Sequence, residues 1–168
     1  VFGNEHRGVS PEAVAEAEPA AARRPDAAST RAKKVLFAFT DEASAVRVLG
    51  EVAKAFRSER PRGFSRASVD FQRIAFDDWV IHLFSSRAEK KHSFLWEPIL
   101  ATADAALFLA ASPGDAEHLA HFKKSLPSTR SIPFVVVTDG PAGSDSEARA
   151  IQSNRDVLAV FSELLERP

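Results

Sequence analysis

Apolar positions follow two alternating rhythms along this chain, one of period two or unbroken and one of helical spacing. Residues 35–39 form an unbroken apolar run bounded by a turn, as expected of a strand covered on both faces. Val46, Leu49, Ala53 and Phe56 then recur at helical spacing and predict an amphipathic helix over 43–57. "RSERPRGFSR" breaks it with Pro61 and Gly63. "ASVDFQRIAF" and "WVIHLF" are β-rich runs separated only by Asp77 and Asp78, a gap that only a hairpin can close, so these strands are antiparallel neighbours. Next comes a helical stretch carrying Phe94, Leu95, Ile99 and Leu100, where Pro98 is expected to mark the first turn of the regular part or a kink. "AALFLAA" reads as a buried strand, Asp115 can open a helix with Ala116, Leu119 and Phe122 on one face, and "IPFVVVTD" is a strand. "SEARAIQ" is read as a short last strand, and from Asp156 the stripe Val157, Val160, Phe161, Leu164 and Leu165 closes the chain as a helix.

The resulting order, β α β β α β α β β α, predicts an α/β fold: a mostly parallel sheet with one antiparallel strand and helices on both faces. Residues 1–32 differ in kind. "VSPEAVAEAEPAAARRPDAASTRA" is rich in alanine, proline and charge, with no large aliphatic residues spaced to bury a face, and is expected to be a disordered tail or linker before a domain over 33–168. The alternative is a short helix over 11–22, capped by Ser10, that docks on a partner.

At 168 residues the chain suits one domain with a real core. Its net charge of −1 and pI near 6.6 provide no long-range field for a polyanion, so nucleic acid is not expected as a partner. Having no cysteine excludes disulfides, thiolate chemistry and cysteine-bound zinc, which fits a reducing compartment; a cytoplasmic location is expected. The longest apolar runs, such as 105–111, are shorter than the roughly 20 residues needed to span a bilayer, so no membrane insertion is expected. No signal segment opens the chain, and without any methionine it reads as processed, trimmed or partial.

The hairpin discriminates among α/β folds. A receiver domain needs a helix between its second and third strands, and only Asp77 and Asp78 are available; Ser85 and Ser86 stand where the phosphorylatable Asp should be, and no lysine ends "PFVVVTD". Ras-like GTPases do have this order. "VDFQRIAFDDWVIHLFSSRAEKKHSFLWEPILATADAALFLAAS" followed by "IPFVVVTDGP" resembles the bacterial Ras-like GTPases of the MglA type, in which a strand like VDFGR and a strand like IHLFGTPGQERF lead into a helix with an F-x-W-E element, here Phe94, Leu95, Trp96 and Glu97. The resemblance spans 33–168 and is concentrated in 69–112 and 132–139. It implies a Ras-like P-loop GTPase fold.

The nucleotide motifs of that family are degenerate here. A phosphate loop G-x-x-x-x-G-K-[ST] uses glycines so that backbone N–H groups close around phosphate, a lysine on the outer oxygens and a hydroxyl on Mg²⁺. Laid on 39–46, its two glycines become Phe39 and Ser44, its lysine Ala45 and its hydroxyl Val46. Asp41 and Glu42 add two negative charges where triphosphate would sit, a repulsion of about 1 to 4 kcal/mol per pair. In the segment resembling the second switch, G-T-P-G-Q becomes Ser85, Ser86, Arg87, Ala88 and Glu89, which removes the glycine that gives its N–H to the γ-phosphate and the water-positioning glutamine. The guanine-reading N-K-x-D becomes Asp139, Gly140, Pro141 and Ala142, without the pairing acid. Ser68 keeps a hydroxyl at the position matching the first-switch threonine.

Other chemistry is weaker. His118 and His121 could share a helix face and bind metal, but no third ligand is evident; exposed helix positions are expected, and no metal. Ser85 and Ser86 have no G-x-S-x-G setting, and Asp77 and Asp78 read as a turn pair. By the resemblance, the loop after the first helix, the edge of the second strand and the second-switch segment form one surface displaying Arg62, Phe64, Arg66, Phe71, Arg87, Lys90 and Lys91, aromatic and basic types that dominate interface hot spots. Trp96 is expected to be buried. The expected function is that of a non-catalytic pseudo-GTPase, a protein-interaction module or structural subunit without cofactor in a larger bacterial assembly. The family implies polarity or motility complexes and roadblock-type dimers as partners. The alternative is an atypical GTPase whose site a partner completes.

Overall fold

The computed structural model describes residues 31–58, 69–76, 79–140 and 148–166. Residues 1–30 of the expected tail over 1–32, and with them Arg62, Phe64, Arg66, Ser68, Asp77, Asp78, Pro141 and Ala142, lie outside the described residues, while Arg31 and Ala32 belong to a strand.

Strand β1 (Arg31–Phe39) begins two residues before the expected domain start, and its last five residues are buried on both faces, which is why they read as an unbroken apolar run. Helix α1 (Glu42–Phe56) starts at the N-cap Asp41 and stops at Arg57 in the left-handed region. Its buried face is Ser44, Ala45, Val48, Leu49, Val52 and Ala53. Val46, expected on that face, is 37% exposed, because the series 45, 48, 49, 52 and 53 claims the core stripe and turns position 46 to its flank. Strands β2 (Asp70–Phe76) and β3 (Trp79–Arg87) pair antiparallel from Asp70 opposite Ser85 to Phe76 opposite Trp79, as the two-residue gap required.

A 3-10 turn (Lys90–His92) leads into α2 (Ser93–Leu100). Pro98 lies in the last turn of α2 rather than its first; its missing N–H removes one rung, and the helix ends two residues later. Strand β4 (Ala105–Leu109), a 3-10 turn (Pro113–Asp115), α3 (Ala116–Lys124), β5 (Phe134–Thr138), β6 (Ala148–Ala150) and α4 (Asn154–Glu166) complete the order. On α3 only Phe122 is fully buried; Leu119 is half-buried, and Ala116, expected beside them, is exposed.

The six strands lie in the order β2-β3-β1-β4-β5-β6, all parallel to their neighbours except β2. Alternation along β1 divides the core. Val35, Phe37 and Phe39 face α1 and α4, where Leu49, Val157, Phe161 and Leu164 complete one cluster. Leu36 and Ala38 face α2 and α3, where Trp96, Leu100, Phe108 and Phe122 form the other. The expected mostly parallel α/β sheet with one antiparallel strand and helices on both faces is therefore what the chain adopts. From β1 the chain proceeds to one side (β3, β2) and returns across β1 to the other (β4, β5, β6), so the order reverses at β1. Ligand crevices in open α/β sheets form at such a point, outside the carboxyl ends of the strands.

Candidate functional site

At that crevice the carboxyl ends of β1, β3, β4 and β5 converge, and the chain's own groups occupy it. Asp41 has an extended backbone, and its carboxylate accepts the Ser44 N–H at 2.7 Å while its carbonyl accepts the Ala45 N–H at 3.0 Å. The Ala45 bond is the first rung of the helix, whereas the Ser44 amide is one of the donors an anion would use at a helix N-terminus, and the Asp41 carboxylate takes it. The Ser44 N–H and hydroxyl, and then the charges of Arg47 and Arg87, hold the Asp41 carboxyl below the usual Asp range.

Glu42 is ion-paired with Arg87, the last residue of β3. The Arg87 side chain is only 18% exposed and its guanidinium lies 6.0 Å from the centre of the Phe39 ring, so it turns into the crevice and away from the outer surface. Its Nε is buried without a hydrogen bond. Phe39, Ala45 and Ala88 are fully buried, and the Ala88 N–H donates to the Phe39 carbonyl at 2.7 Å, tying the segment after β3 onto the end of β1. Beyond it, burial pushes the Glu89 carboxyl up, but the hydrogen bond and charge of Lys91 and the charges of His92 and Arg87 outweigh this and hold it low.

Two bridges close the other side. The Thr40 hydroxyl donates to the buried carboxylate of Asp115 at 2.7 Å, and Asp115 also accepts the N–H groups of Ala111 and Ser112 at 2.7 and 2.9 Å, so one acid links the ends of β1 and β4. Arg47 of α1 is ion-paired with Asp139 at the end of β5, and the hydrogen bond from that pair raises the Arg47 pKa. Sequence reasoning missed both bridges. Ser112 and Asp115 do carry a legible capping-box spacing, but their reach to Thr40 depends on the sheet order. Asp41 and Glu42 are expected to make the crevice electronegative; Arg87 pairs with Glu42, and the charges of Arg47 and Arg87 also act on Asp41.

Beside this closed crevice is an open cavity of about 470 Å³ lined by Val46, Arg47, Gly50, Lys54, Asp139 and Gln152. A Cβ added to Gly50 or Gly140 would meet nothing within 4 Å.

Of the expected partner surface, Phe71 is 51% exposed and Lys90 and Lys91 are exposed, whereas Arg87 is drawn inward. Trp96 is fully buried against Phe122, with ring centres 5.1 Å apart. His118 and His121, expected to be exposed, are half-buried, and His121 packs edge-on to Trp96. No group of three His, Cys, Asp or Glu residues among the described residues is placed to hold a metal ion. Ser85 and Ser86 are buried, out of reach of a substrate. No helix among the described residues is long and apolar enough to cross a membrane.

A scan against protein-family models found no match for this chain, and a search of curated proteins found none either.

Proposed function

We propose that this chain is a nucleotide-free Ras-like domain, a pseudo-GTPase that acts as a protein-binding module. The strand order with its single antiparallel edge strand supports the Ras-like reading of the sheet. One observation carries the functional half: two of the amides that a triphosphate would use are bonded to the chain itself. The Ala88 N–H, which the family resemblance assigns to the γ-phosphate, is taken by the Phe39 carbonyl, and the Ser44 N–H in the first turn of α1 is taken by the Asp41 carboxylate. Phosphate would have to displace the Asp41 carboxylate and the Arg87–Glu42 ion pair, and no lysine follows β1 in the place of the phosphate-loop lysine.

A module of this kind works through its surface. Phe71, Lys90 and Lys91 remain outward on the side the resemblance assigns to partners, and a dimeric regulator of the roadblock type in a bacterial polarity or motility assembly is the partner class it implies.

The competing reading is an atypical GTPase completed in trans. The observation in its favour is the open cavity beside Asp139 and Gly140, the segment matching the guanine-reading motif. One experiment decides between them: melting of the purified chain with GTP, GDP or ATP and Mg²⁺. Occupancy at 100 times the dissociation constant adds about 2.7 kcal/mol. No upward shift is expected; a shift saturating with GTP or GDP would replace this reading with the GTPase.

A further inference from the structure

At the end of the sheet opposite the crevice, where the strands begin, a second cavity of about 460 Å³ opens between the starts of β1 and β3, the segment before β5 and the end of α4. Its size is that of a small-molecule site. Trp79, Ile132 and Pro133, all half-buried, and the buried Leu165 give it apolar walls. Arg31, Lys33 and Arg130 bring three positive charges to its lining, and Asp104 and Glu166 bring two negative ones.

The fold holds these cations in place. Arg31 and Trp79 are register partners on β1 and β3, and the Arg31 guanidinium lies 5.5 Å from the centre of the Trp79 ring. Lys33, two positions on and so on the same face of β1, lies 5.2 Å from that ring and donates to the Leu164 and Leu165 carbonyls at 3.5 and 3.0 Å, at the C-terminal end of α4. Arg130 donates to the Ala101 and Ala103 carbonyls just after α2. A ring face or a helix-end carbonyl attracts a cation without cancelling its charge. Among the described residues neither Arg31 nor Arg130 has a carboxylate at ion-pair distance, and the Asp104 carboxylate is engaged by the Lys34 N–H at 2.7 Å. Two guanidinium groups therefore border an apolar hollow with charge to spare.

We propose that this cavity binds a small organic acid: one carboxylate on a compact apolar body. The planar N–H fork of a guanidinium matches a carboxylate in a way that an ammonium does not, so Arg31 and Arg130 hold the acid while Ile132, Pro133 and Leu165 cover the apolar part. One negative charge suits the site better than several, because the lining carries an excess of only one positive charge and Asp104 and Glu166 repel the rest. A polyphosphate is accordingly a poor occupant. The proposal goes beyond the protein-binding reading and does not rest on it, since the cavity and the crevice lie at opposite ends of the strands.

The test titrates the full chain with 1-naphthoate by calorimetry, with the uncharged 1-naphthalenemethanol as its counterpart. The naphthoate should bind at one site, about tenfold more tightly than the alcohol. Arg31→Glu and Arg130→Glu should each weaken the naphthoate about tenfold and leave the alcohol nearly unchanged. Phe94→Ser, at an exposed aromatic residue on α2, should change neither. Arg31 and Arg130 are both exposed, and melting curves of the variants check that they fold. The proposal is overturned if the naphthoate does not bind, if the alcohol binds as tightly, if the folded arginine variants bind the naphthoate like the parent chain, or if Phe94→Ser abolishes binding. Each of these results leaves the nucleotide experiment, and the reading it tests, unaffected.

Discussion

Arg87 at the end of β3 is ion-paired with Glu42 in the first turn of α1, so a side chain from one strand end closes the opening beside another. A basic residue and an acidic residue that look like separate surface features in the sequence are one internal contact. Removing Glu42 leaves a mostly buried guanidinium with a lost counter-charge, whereas removing Arg87 leaves a carboxylate that water can reach. Glu42→Ala should therefore destabilise the chain more than Arg87→Ala, and the double-mutant cycle should return a coupling of about 0.5 to 1 kcal/mol by urea unfolding.

Asp41→Ala removes the cap of α1 and should cost about 1 kcal/mol, visible as a lower urea midpoint with an unchanged slope. Asp41→Asn, which keeps an acceptor, should cost less.

Asp41 and Asp156 are both held below the ordinary Asp value of 3.8, Asp41 chiefly by the Ser44 N–H and Asp156 chiefly by the Gln152 N–H, with the Ser153 hydroxyl second. Groups whose folded pKa is depressed contribute stability that is present above the unfolded pKa and is lost as pH falls through the folded one. The urea midpoint should thus fall as the pH drops through the ordinary Asp value of 3.8 and below it, and the double variant Asp41→Asn, Asp156→Asn should show a shallower fall over the same window.

Phe122 joins Trp96, Phe108 and Phe134, with ring centres 5.1, 5.5 and 5.8 Å away, and is fully buried. Phe122→Ala should cost about 3 to 5 kcal/mol by chemical unfolding, because three aromatic neighbours cannot collapse into the space together.

Arg57 ends α1 at φ 52° and ψ 34°, a left-handed conformation that a side chain resists and glycine does not. Arg57→Gly should raise stability by up to about 1 kcal/mol, read as a higher melting temperature.

Much of this molecule was legible in the order of its residues. Strands and helices follow from periodicity, which is a local property: an unbroken run such as 35–39 signals burial on two faces, and the stripe from Val157 to Leu165 signals one. The two-residue gap between β2 and β3 compelled an antiparallel pair, and the missing lysine and glycines after β1 were plain from the residue types. Val46 was misplaced because neighbouring phases of a helix differ by only one position, and Pro98 because the helix starts at Ser93, before the proline, and ends soon after it. What tertiary structure alone decided is where the charges go. The bonds from Thr40 to Asp115, from Arg47 to Asp139 and from Arg87 to Glu42 join residues far apart in the chain that meet only because four strand ends share one edge of the sheet. Charge is a property of a residue, but pairing is a property of a distance. The sequence therefore announced two acids after β1, and the fold determined that Glu42 would be paired with Arg87 and that Asp41 would cap α1.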